Sequence, residues 1–371
     1  MQIVAQGAQD RYLTVDPQIT YFKKHHRRHT NFAVESIEQM FNGTATSGGK
    51  VTATISRNGD LVHRMWLEIV TDDKLLTGES AYDLIDNVTV EIGGTQVDRH
   101  YGAWMKLADD LRCPAGKRTA LSTLTDGETA VKTVRIPLSF WFCRDPGQSL
   151  PLIALQYHEV KISVSFKAAH NGSTDSTVTS AKLFVDYIYL DTVERQQFAS
   201  QDHEYLIEQV QTSGTEVIDA TVANTTATKK INLYYNHPVK EIAWLLTGEK
   251  NQNAPTLDTA KLQLNGHDRF VERDATYFRE VQQVQHHSNA YNPTTKTINV
   301  GATDAFTYSF CLEPEDHHPS GSCNFSRIDN AVLVLKTGGV AAAAAGTVEV
   351  FGVNYNVLRI KSGMGGLAYS N

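Results

Sequence analysis

Residues Val90–Arg99 read VEIGGTQVDR, and residues Leu262–Phe270 read LQLNGHDRF. In the first stretch apolar and polar residues alternate up to the pair Gly93–Gly94, a pattern typical of a strand that enters a tight turn. Aligning Gly94 with Gly266 superimposes the second stretch on the first. The two copies lie about 170 residues apart, whereas solenoid repeats recur every roughly 20–50 residues. The pair therefore indicates a duplicated domain.

Three further pairs of segments repeat in the same order and at nearly the same spacing. They are Leu138–Cys143 with Thr307–Cys311, Val160–Val164 with Ala331–Leu335, and Val185–Leu190 with Val353–Leu358. Four ordered matches predict two tandem β-sandwiches of about 170 residues each, and eight-stranded jelly rolls are sandwiches of suitable size.

Composition agrees with two β domains. The chain has 371 residues, of which 41% are hydrophobic and 20% charged, so each half can bury a core and general disorder is excluded. Val, Ile and Thr together make up 86 residues, and β-branched side chains favour strands. No apolar run is long enough to cross a membrane, and the start of the chain does not resemble a secretory signal.

Charge, cysteines and motifs exclude several function classes. The net charge of −7 argues against a general nucleic-acid binder, and it divides into −1 for residues 1–190 and −6 for residues 191–371. Four scattered cysteines predict free thiols rather than a disulfide framework. The sequence contains no GxSxG, HExxH or P-loop pattern, so we expect no catalytic residue, no cofactor and no enzymatic activity.

Short strand-like segments separated by turn signals extend through the first half, and Asn58–Gly59 is predicted to be a hairpin turn. The strand-like segments span residues 50–56, 61–70, 87–92, 131–143, 159–166 and 181–190. Thr192–Gln211 differs from them, because it is rich in Glu and Gln and contains neither Gly nor Pro. We interpret it as a boundary between domains that includes a short helix.

Several long strings of residues resemble the major capsid proteins of nucleocytoplasmic large DNA viruses, with iridovirus-type and phycodnavirus-type members most similar. These strings are Gly7–Thr14, Pro17–Lys23, Arg27–Ala33, His203–Gln209, Pro319–Ala331, Val353–Ile360 and Ser362–Asn371. They extend over the whole chain and are far more specific than any short motif in it.

The resemblance implies an all-β fold of two tandem eight-stranded jelly-roll β-sandwiches, a double jelly roll, with an N-terminal arm and a short helical junction. The expected division is an arm at 1–30, a first jelly roll at 31–191, an inter-domain segment at 192–212 and a second jelly roll with a C-terminal tail at 213–371. Members of the family often carry long insertions that form outer towers. Since the segments between strands are mostly short here, we expect a low outer surface.

The resemblance also implies a structural role. A homotrimer would form a pseudo-hexameric capsomer that tiles the icosahedral shell of a large DNA virus, assembled in the host cytoplasm and located in the virion. Expected partners are copies of the chain, minor capsid and penton proteins, and the internal viral membrane surface, without sequence-specific nucleic acid. The alternative is a carbohydrate-binding or receptor-binding jelly-roll capsid or spike protein, a paralogue of the main tile. An enzyme built on a β-sandwich ranks third.

One basic cluster is the candidate site. Lys23, Lys24, Arg27 and Arg28 lie within seven residues and suggest an inner-face assembly patch that contacts the membrane surface or minor capsid proteins. The alternative is a solvated face or a face between subunits. If the patch binds polyanions, counterion release makes that binding sensitive to salt.

Histidines occur in groups that invite a metal interpretation, namely His25, His26 and His29, then His286–His287, then His317–His318. Adjacent residues of a strand point to opposite faces, so neighbouring histidines rarely ligate one ion. Each group also lacks a Cys or carboxylate partner at metal spacing. We therefore predict no metal site.

Overall fold

The computed structural model describes residues 6–24, 26–72, 80–125, 133–168, 177–222, 225–248, 255–290, 303–339 and 345–370. Its α-helices are α1 (Ala8–Thr14), α2 (Gly102–Arg112), α3 (Ala115–Thr125), α4 (Trp141–Arg144), α5 (Thr192–Ser200) and α6 (Gln282–His286). Short 3-10 turns span Ala81–Leu84, Pro146–Gln148 and Phe325–Arg327, and a π-helical turn at Tyr277–Val281 leads into α6.

The first half forms two facing antiparallel sheets. Its strands are β1 (Phe32–Gln39), β2 (Lys50–Thr54), β3 (Leu61–Thr71), β4 (Ile85–Ile92), β5 (Thr95–Tyr101), β6 (Thr133–Leu138), β7 (Leu150–Pro151), β8 (Val160–Phe166) and β9 (Val178–Leu190). One sheet has the order β1-β9-β3-β6, with β7 added beside β3, and the other has the order β2-β8-β4-β5. Apolar residues alternate along the strands, so both inner faces contribute to one core.

The second half repeats this arrangement. Its strands are β10 (His203–Ile218), β11 (Thr225–Asn232), β12 (Pro238–Gly248), β13 (Leu257–Leu264), β14 (His267–Asp268), β15 (Arg273–Asp274), β16 (Thr303–Ser309), β17 (Cys323–Asn324), β18 (Ala331–Gly339), β19 (Gly346–Lys361) and β20 (Met364–Leu367). The sheets have the orders β10-β19-β12-β16 and β11-β18-β13-β14, with β15, β17 and β20 as short additions. Each half thus has eight principal strands in the same order, and the predicted double jelly roll is confirmed.

The repeated hairpins explain why the sequence pattern was informative. Gly93 and Gly94, between β4 and β5, have φ of 59° and 82°, and Asn265 and Gly266, between β13 and β14, have φ of 52° and 78°. Two consecutive residues with positive φ are what a two-residue type I′ hairpin requires, and Gly and Asn adopt that conformation at least cost. The same turn therefore stands at the same place in both domains.

The last pair of the repeat is shifted by one residue in the structure. Tyr187 of β9 faces the core of the first domain. Tyr355 of β19, aligned with it by sequence, lies on the outer face, where its ring packs 5.6 Å from Lys240 Nζ. A shift of one residue moves a strand side chain to the opposite face, so likeness in sequence does not give the register.

Two local predictions were wrong. Asn58–Gly59 is a bend rather than a hairpin turn, because β2 pairs with β8 and β3 pairs with β9, in different sheets. Of the predicted strand at 131–143, residues 131–132 lie outside the described residues, β6 ends at Leu138 and α4 follows. The aromatic run after Leu138 is buried by packing rather than by strand alternation.

The junction and the two ends of the chain have defined structure. Asp191 accepts a hydrogen bond from the Thr192 amide at 2.8 Å and so caps α5, and β10 begins soon after it at His203. At the N-terminus α1 buries no residue. At the C-terminus β20 pairs with β19. The division of the chain at 1–30, 192–212 and 213–371 stays a proposal.

Helices α2 and α3, between β5 and β6, were not predicted from the sequence. Gly102 begins α2 and is fully enclosed, because a Cβ there would overlap the carbonyl oxygens of Tyr82 and Ile85. Gly116 in α3 has open space around its Cα. The two glycines therefore form a matched pair.

We expect Gly102→Ala to lower the free energy of unfolding by about 1–3 kcal/mol, because the added methyl group is forced against backbone. Gly116→Ala is the control and should leave stability unchanged or raise it by up to about 1 kcal/mol, since alanine favours helix. Urea unfolding of both variants checks this, and equal midpoints would contradict the packing of α2.

Candidate functional site

The sheet β10-β19-β12-β16 is apolar on both faces. Along β12, Ile242 and Trp244 point into the core of the second domain, whereas Ala243 and Leu245 point outward. Both sets are buried. A sheet with two apolar faces must be covered on both, so the outer face requires a covering element.

Helix α2 of the first domain supplies that cover. Its side chains form one buried cluster with the outer face of the sheet, which we call the junction cluster. The members of this cluster are Trp104, Leu107, Ala108, Leu111, Ala243, Leu245, Ala305, Phe351 and Val353. The rings of Trp104 and Phe351 lie 5.7 Å apart. The two jelly rolls are therefore joined by a continuous hydrophobic contact and not by a linker alone.

Ion pairs border the junction cluster. Arg112 of α2 donates to Glu241 of β12 at 3.0 Å, and Arg144 of α4 donates to Glu208 of β10 at 2.5 Å. Lys240, with 0% exposure, donates to the other oxygen of Glu208. Burial alone would lower the pKa of Arg112, but the carboxylates of Glu241 and Glu208 outweigh it and the pKa lies above its ordinary value.

A loop after α6 adds to these ion pairs, and we call the whole set the junction network. Its members are Arg112, Arg144, Glu208, Lys240, Glu241, His287 and Glu315. His287 lies between two carboxylates, with Nδ1 at 3.2 Å from Glu315 and Nε2 at 3.5 Å from Glu241. Burial raises the pKa of Glu315, but hydrogen bonds from His287 and Ser288 outweigh burial and hold that pKa below its ordinary value. The Asn289 amide donates to the carbonyl of Leu111 at 2.9 Å, which fixes the loop to the end of α2.

The C-terminal tail forms another contact between the domains. Gly365 and His158 approach each other closely, with His158 Nδ1 at 2.9 Å from the Gly365 carbonyl oxygen. The Tyr157 amide donates to the carbonyl of Gly363 at 3.0 Å. Leu358 and Ile360 of β19 also belong to the first core. The glycine-rich end thus orders against the first domain.

The predicted site residues lie together on the arm but form no pocket. Lys23, Lys24, Arg27 and Arg28 are all exposed and lie between α1 and β1, outside any helix or strand. The neighbouring Phe22 is 100% exposed. His25 lies outside the described residues. The assembly role of the four cations stays a prediction.

The histidine groups have separate surroundings. His286 Nδ1 lies 2.8 Å from the carbonyl oxygen of Leu312, His287 belongs to the junction network, and His317 Nε2 lies 2.8 Å from Gln148 Nε2. Across the part of the chain that the structure describes, no three His, Cys, Asp or Glu side chains are arranged to hold a metal ion. The lack of a metal stays a prediction. In the same residues no helix has the length and apolarity needed to span a membrane.

Two family models together match nearly the whole chain. The model described as major capsid protein N-terminus matches residues 20–191, and the model described as large eukaryotic DNA virus major capsid protein matches residues 194–366. The chain belongs to the major capsid protein family of large eukaryotic DNA viruses. The break between the two matches falls at the start of α5, between strands β9 and β10.

Relatives of this capsid protein align along its full length. The major capsid protein of Pyramimonas orientalis virus is 49% identical over 406 residues, covering 100% of this chain and 99% of the relative. That of Paramecium bursaria Chlorella virus 1 is 39% identical over 442 residues, with the same coverage. Both alignments are longer than the chain, so both relatives contain segments that it lacks.

Solved structures agree with the fold. A quasi-atomic model of the PBCV-1 virus capsid matches with a TM-score of 0.84 and 36% identity, covering 95% of this chain and 100% of the other. The Faustovirus major capsid protein, at 13% identity, shares the fold with a TM-score of 0.71 over 96% of this chain and 94% of its own. The expected family is confirmed.

Sequence reasoning missed the junction network of this capsid protein. The available signal was in Pro238–Gly248, where the adjacent charges Lys240 and Glu241 interrupt an otherwise apolar strand. A charge within a buried strand requires a partner. The partners, Glu208 and Arg112, are remote in sequence and could not be identified from it.

Two glutamates on β10 test the network. Glu208→Gln should cost about 3–5 kcal/mol of unfolding free energy, because Lys240 is left buried without its counter-charge. Glu204→Gln is the matched control: Glu204 accepts from Arg359 at 2.8 Å at the exposed surface, and its loss should cost less than about 1 kcal/mol. Denaturant titration measures the unfolding free energy of both variants. Similar losses in the two variants would contradict a structural role for the buried pair Glu208–Lys240.

Proposed function

We propose that this capsid protein assembles as a homotrimer whose six jelly rolls form a pseudo-hexameric capsomer that tiles an icosahedral shell. The observation that supports this most is the equivalence of the two domains, which have the same strand order within one chain. Three chains then supply six similar domains to one ring. A place in a capsid shell is supported by the quasi-atomic model of the PBCV-1 virus capsid, which matches 95% of this chain.

The proposed mechanism is geometric. A capsomer has a fixed shape only if the two domains of each chain keep a constant position and orientation relative to each other. The junction cluster and the junction network provide that rigidity. A trimer is closed by three heterologous contacts, each between unlike surfaces of neighbouring chains. Obligate contacts of this kind bury more than about 2,000 Å² in total.

The arm is proposed to face the shell interior. Its exposed cations would contact minor capsid proteins, penton proteins or the internal viral membrane surface, and its exposed aromatic residues support a role in contacts. We place assembly of the shell in the host cytoplasm and assign the chain no catalytic or cofactor-dependent step. Since the relatives contain segments that this chain lacks, its outer surface is proposed to be low.

The oligomeric state tests the capsomer. Size-exclusion chromatography with light scattering should give three times the chain mass of 41.1 kDa, and negative-stain images should show hexagonal tiles. A stable monomer would contradict the proposal. A monomer that also binds sugars on a glycan array would favour the alternative of a carbohydrate-binding or receptor-binding paralogue.

The basic patch is tested separately. Replacing Lys23, Lys24, Arg27 and Arg28 with Gln should leave trimers intact and reduce shell yield, because the patch would act between capsomers and their inner partners. The measurement is the yield of particles sedimenting as complete shells during coexpression with the viral assembly proteins.

A control removes the same charge elsewhere. Four exposed cations outside the arm are replaced with Gln in a second variant, namely Lys50, Lys117, Lys230 and Arg327. It should form shells as the unmodified chain does. Normal shell yield from the arm variant, or equal loss in both variants, would contradict a specific role for the patch.

A further inference from the structure

Two surfaces of the chain lie at the same places in the fold as the two surfaces that are already in contact at its junction. We propose that the helical segment Tyr277–His286 of one copy docks into a groove on the outer face of sheet β1-β9-β3-β6 of a second copy. This inference rests on the proposed trimer and states which surfaces form it. The two domains have equivalent strands and connections, which relates these surfaces to those of the junction.

The helical segment is the counterpart of α2. Both connect the strand pairs at the same place in their domains, between β5 and β6 in the first and between β15 and β16 in the second. Met105 and Phe278 are equivalent, since each lies in the core of its own domain. In this alignment Ala108 and Leu111 of the junction cluster correspond to Val281 and Val284.

These two valines lack the cover that their counterparts have. Ala108 and Leu111 are buried against the second domain, whereas Val281 is 40% exposed and Val284 is 72% exposed. Two apolar side chains three residues apart form one helix face. The second domain thus presents the same kind of face as the first, without a sheet against it.

The matching sheet face also lacks a cover. On the outer face of β3, Trp66 lies opposite Pro137 of β6 and Phe184 of β9. At the same place in the second domain, Ala243 lies between Thr307 and Phe351, under α2. This apolar row of the first domain is only partly buried in a single chain. The positions of Leu245, Ala305 and Val353 are taken in the first domain by Glu68, Arg135 and Asp186, so the face is apolar along this row alone.

A groove follows this row. It has a volume of about 220 Å³ and its lining includes Trp66, Pro137 and Leu138. Arg64 and Arg144 also line the groove, and the helical segment carries Glu280, whose exposed carboxylate lies 3.4 Å from Arg279 of the same segment. A carboxylate that faces two guanidinium groups of the groove is complementary in charge. Within one chain the valines are exposed and the row is half-buried. Because the junction already places the equivalent helix on the equivalent sheet, the occupant is a second copy of the chain.

The contact repeats head to tail. The first domain covers the second within a chain, and the second domain of that chain covers the first domain of the next. A heterologous contact closes into a ring when its rotation divides a full turn, and six domains require about 60° at each step. Three chains complete the ring without any further type of contact between domains.

Fluorescence of Trp66 tests the docking directly. The chain has four tryptophans, and Trp104, Trp141 and Trp244 are buried, so Trp66 dominates quenching by acrylamide when it is uncovered. In the assembled protein the helical segment should shield it. In V281D/V284D the quenching constant should rise severalfold, and the mass should fall from three chains to one.

Two controls isolate the effect. V217D/V222D introduces the same charges at two exposed valines elsewhere in the second domain and should keep the mass and the quenching of the unmodified protein. In a W66F background V281D/V284D should not change quenching, whereas unfolding of the variant would raise it there too. V284S, a milder change, serves if the double variant does not fold.

The outcomes separate the two proposals. An unmodified chain with the mass of a monomer contradicts the trimer itself. A trimeric unmodified chain in which V281D/V284D leaves the quenching of Trp66 unchanged contradicts this docking surface and leaves the trimer standing. Greater quencher access to Trp66 in that variant, absent in the W66F background, supports the docking surface.

Discussion

The burial of the outer face of β12 and β19 by α2 is the contact on which the rest of the structure depends. Strands with apolar side chains on both faces cannot form the surface of a domain, so the second jelly roll needs the first. Its own core would cover one face and leave Ala243, Leu245 and Phe351 in water. The two domains are therefore halves of one unit, although each has its own pair of sheets.

Charge makes this contact specific. Hydrophobic packing alone tolerates sliding of a helix over a sheet, whereas buried ion pairs are satisfied in one position. Arg112 reaches Glu241, and Glu208 receives both Lys240 and Arg144, from elements that are distant in sequence. His287 and Glu315 extend the network to the loop after α6. We interpret this set as the feature that fixes the relation between the jelly rolls.

The local features of this architecture could be predicted from the sequence, whereas the contacts between distant residues could not. The hairpins at Gly93–Gly94 and Asn265–Gly266 were predictable because their turn chemistry is local. The register of β19 was not, since a one-residue shift preserves the alternating pattern and reverses the face. Helix α2 has apolar residues at helical spacing, from Trp104 to Leu111, so the helix itself was within reach of the sequence, whereas the sheet that it covers was not. The cations of the arm were identified because they cluster in the sequence, and their role stays a prediction.

We propose that the arrangement of the two domains within the chain recurs between the domains of neighbouring chains. Single-particle cryo-electron microscopy of the purified oligomer measures this directly. The account predicts six jelly rolls in one ring at steps of about 60°, with α2 on Ala243 within a chain and Val284 on Trp66 between chains. An oligomer whose domains number other than six, or whose contact between chains involves different faces, would contradict it.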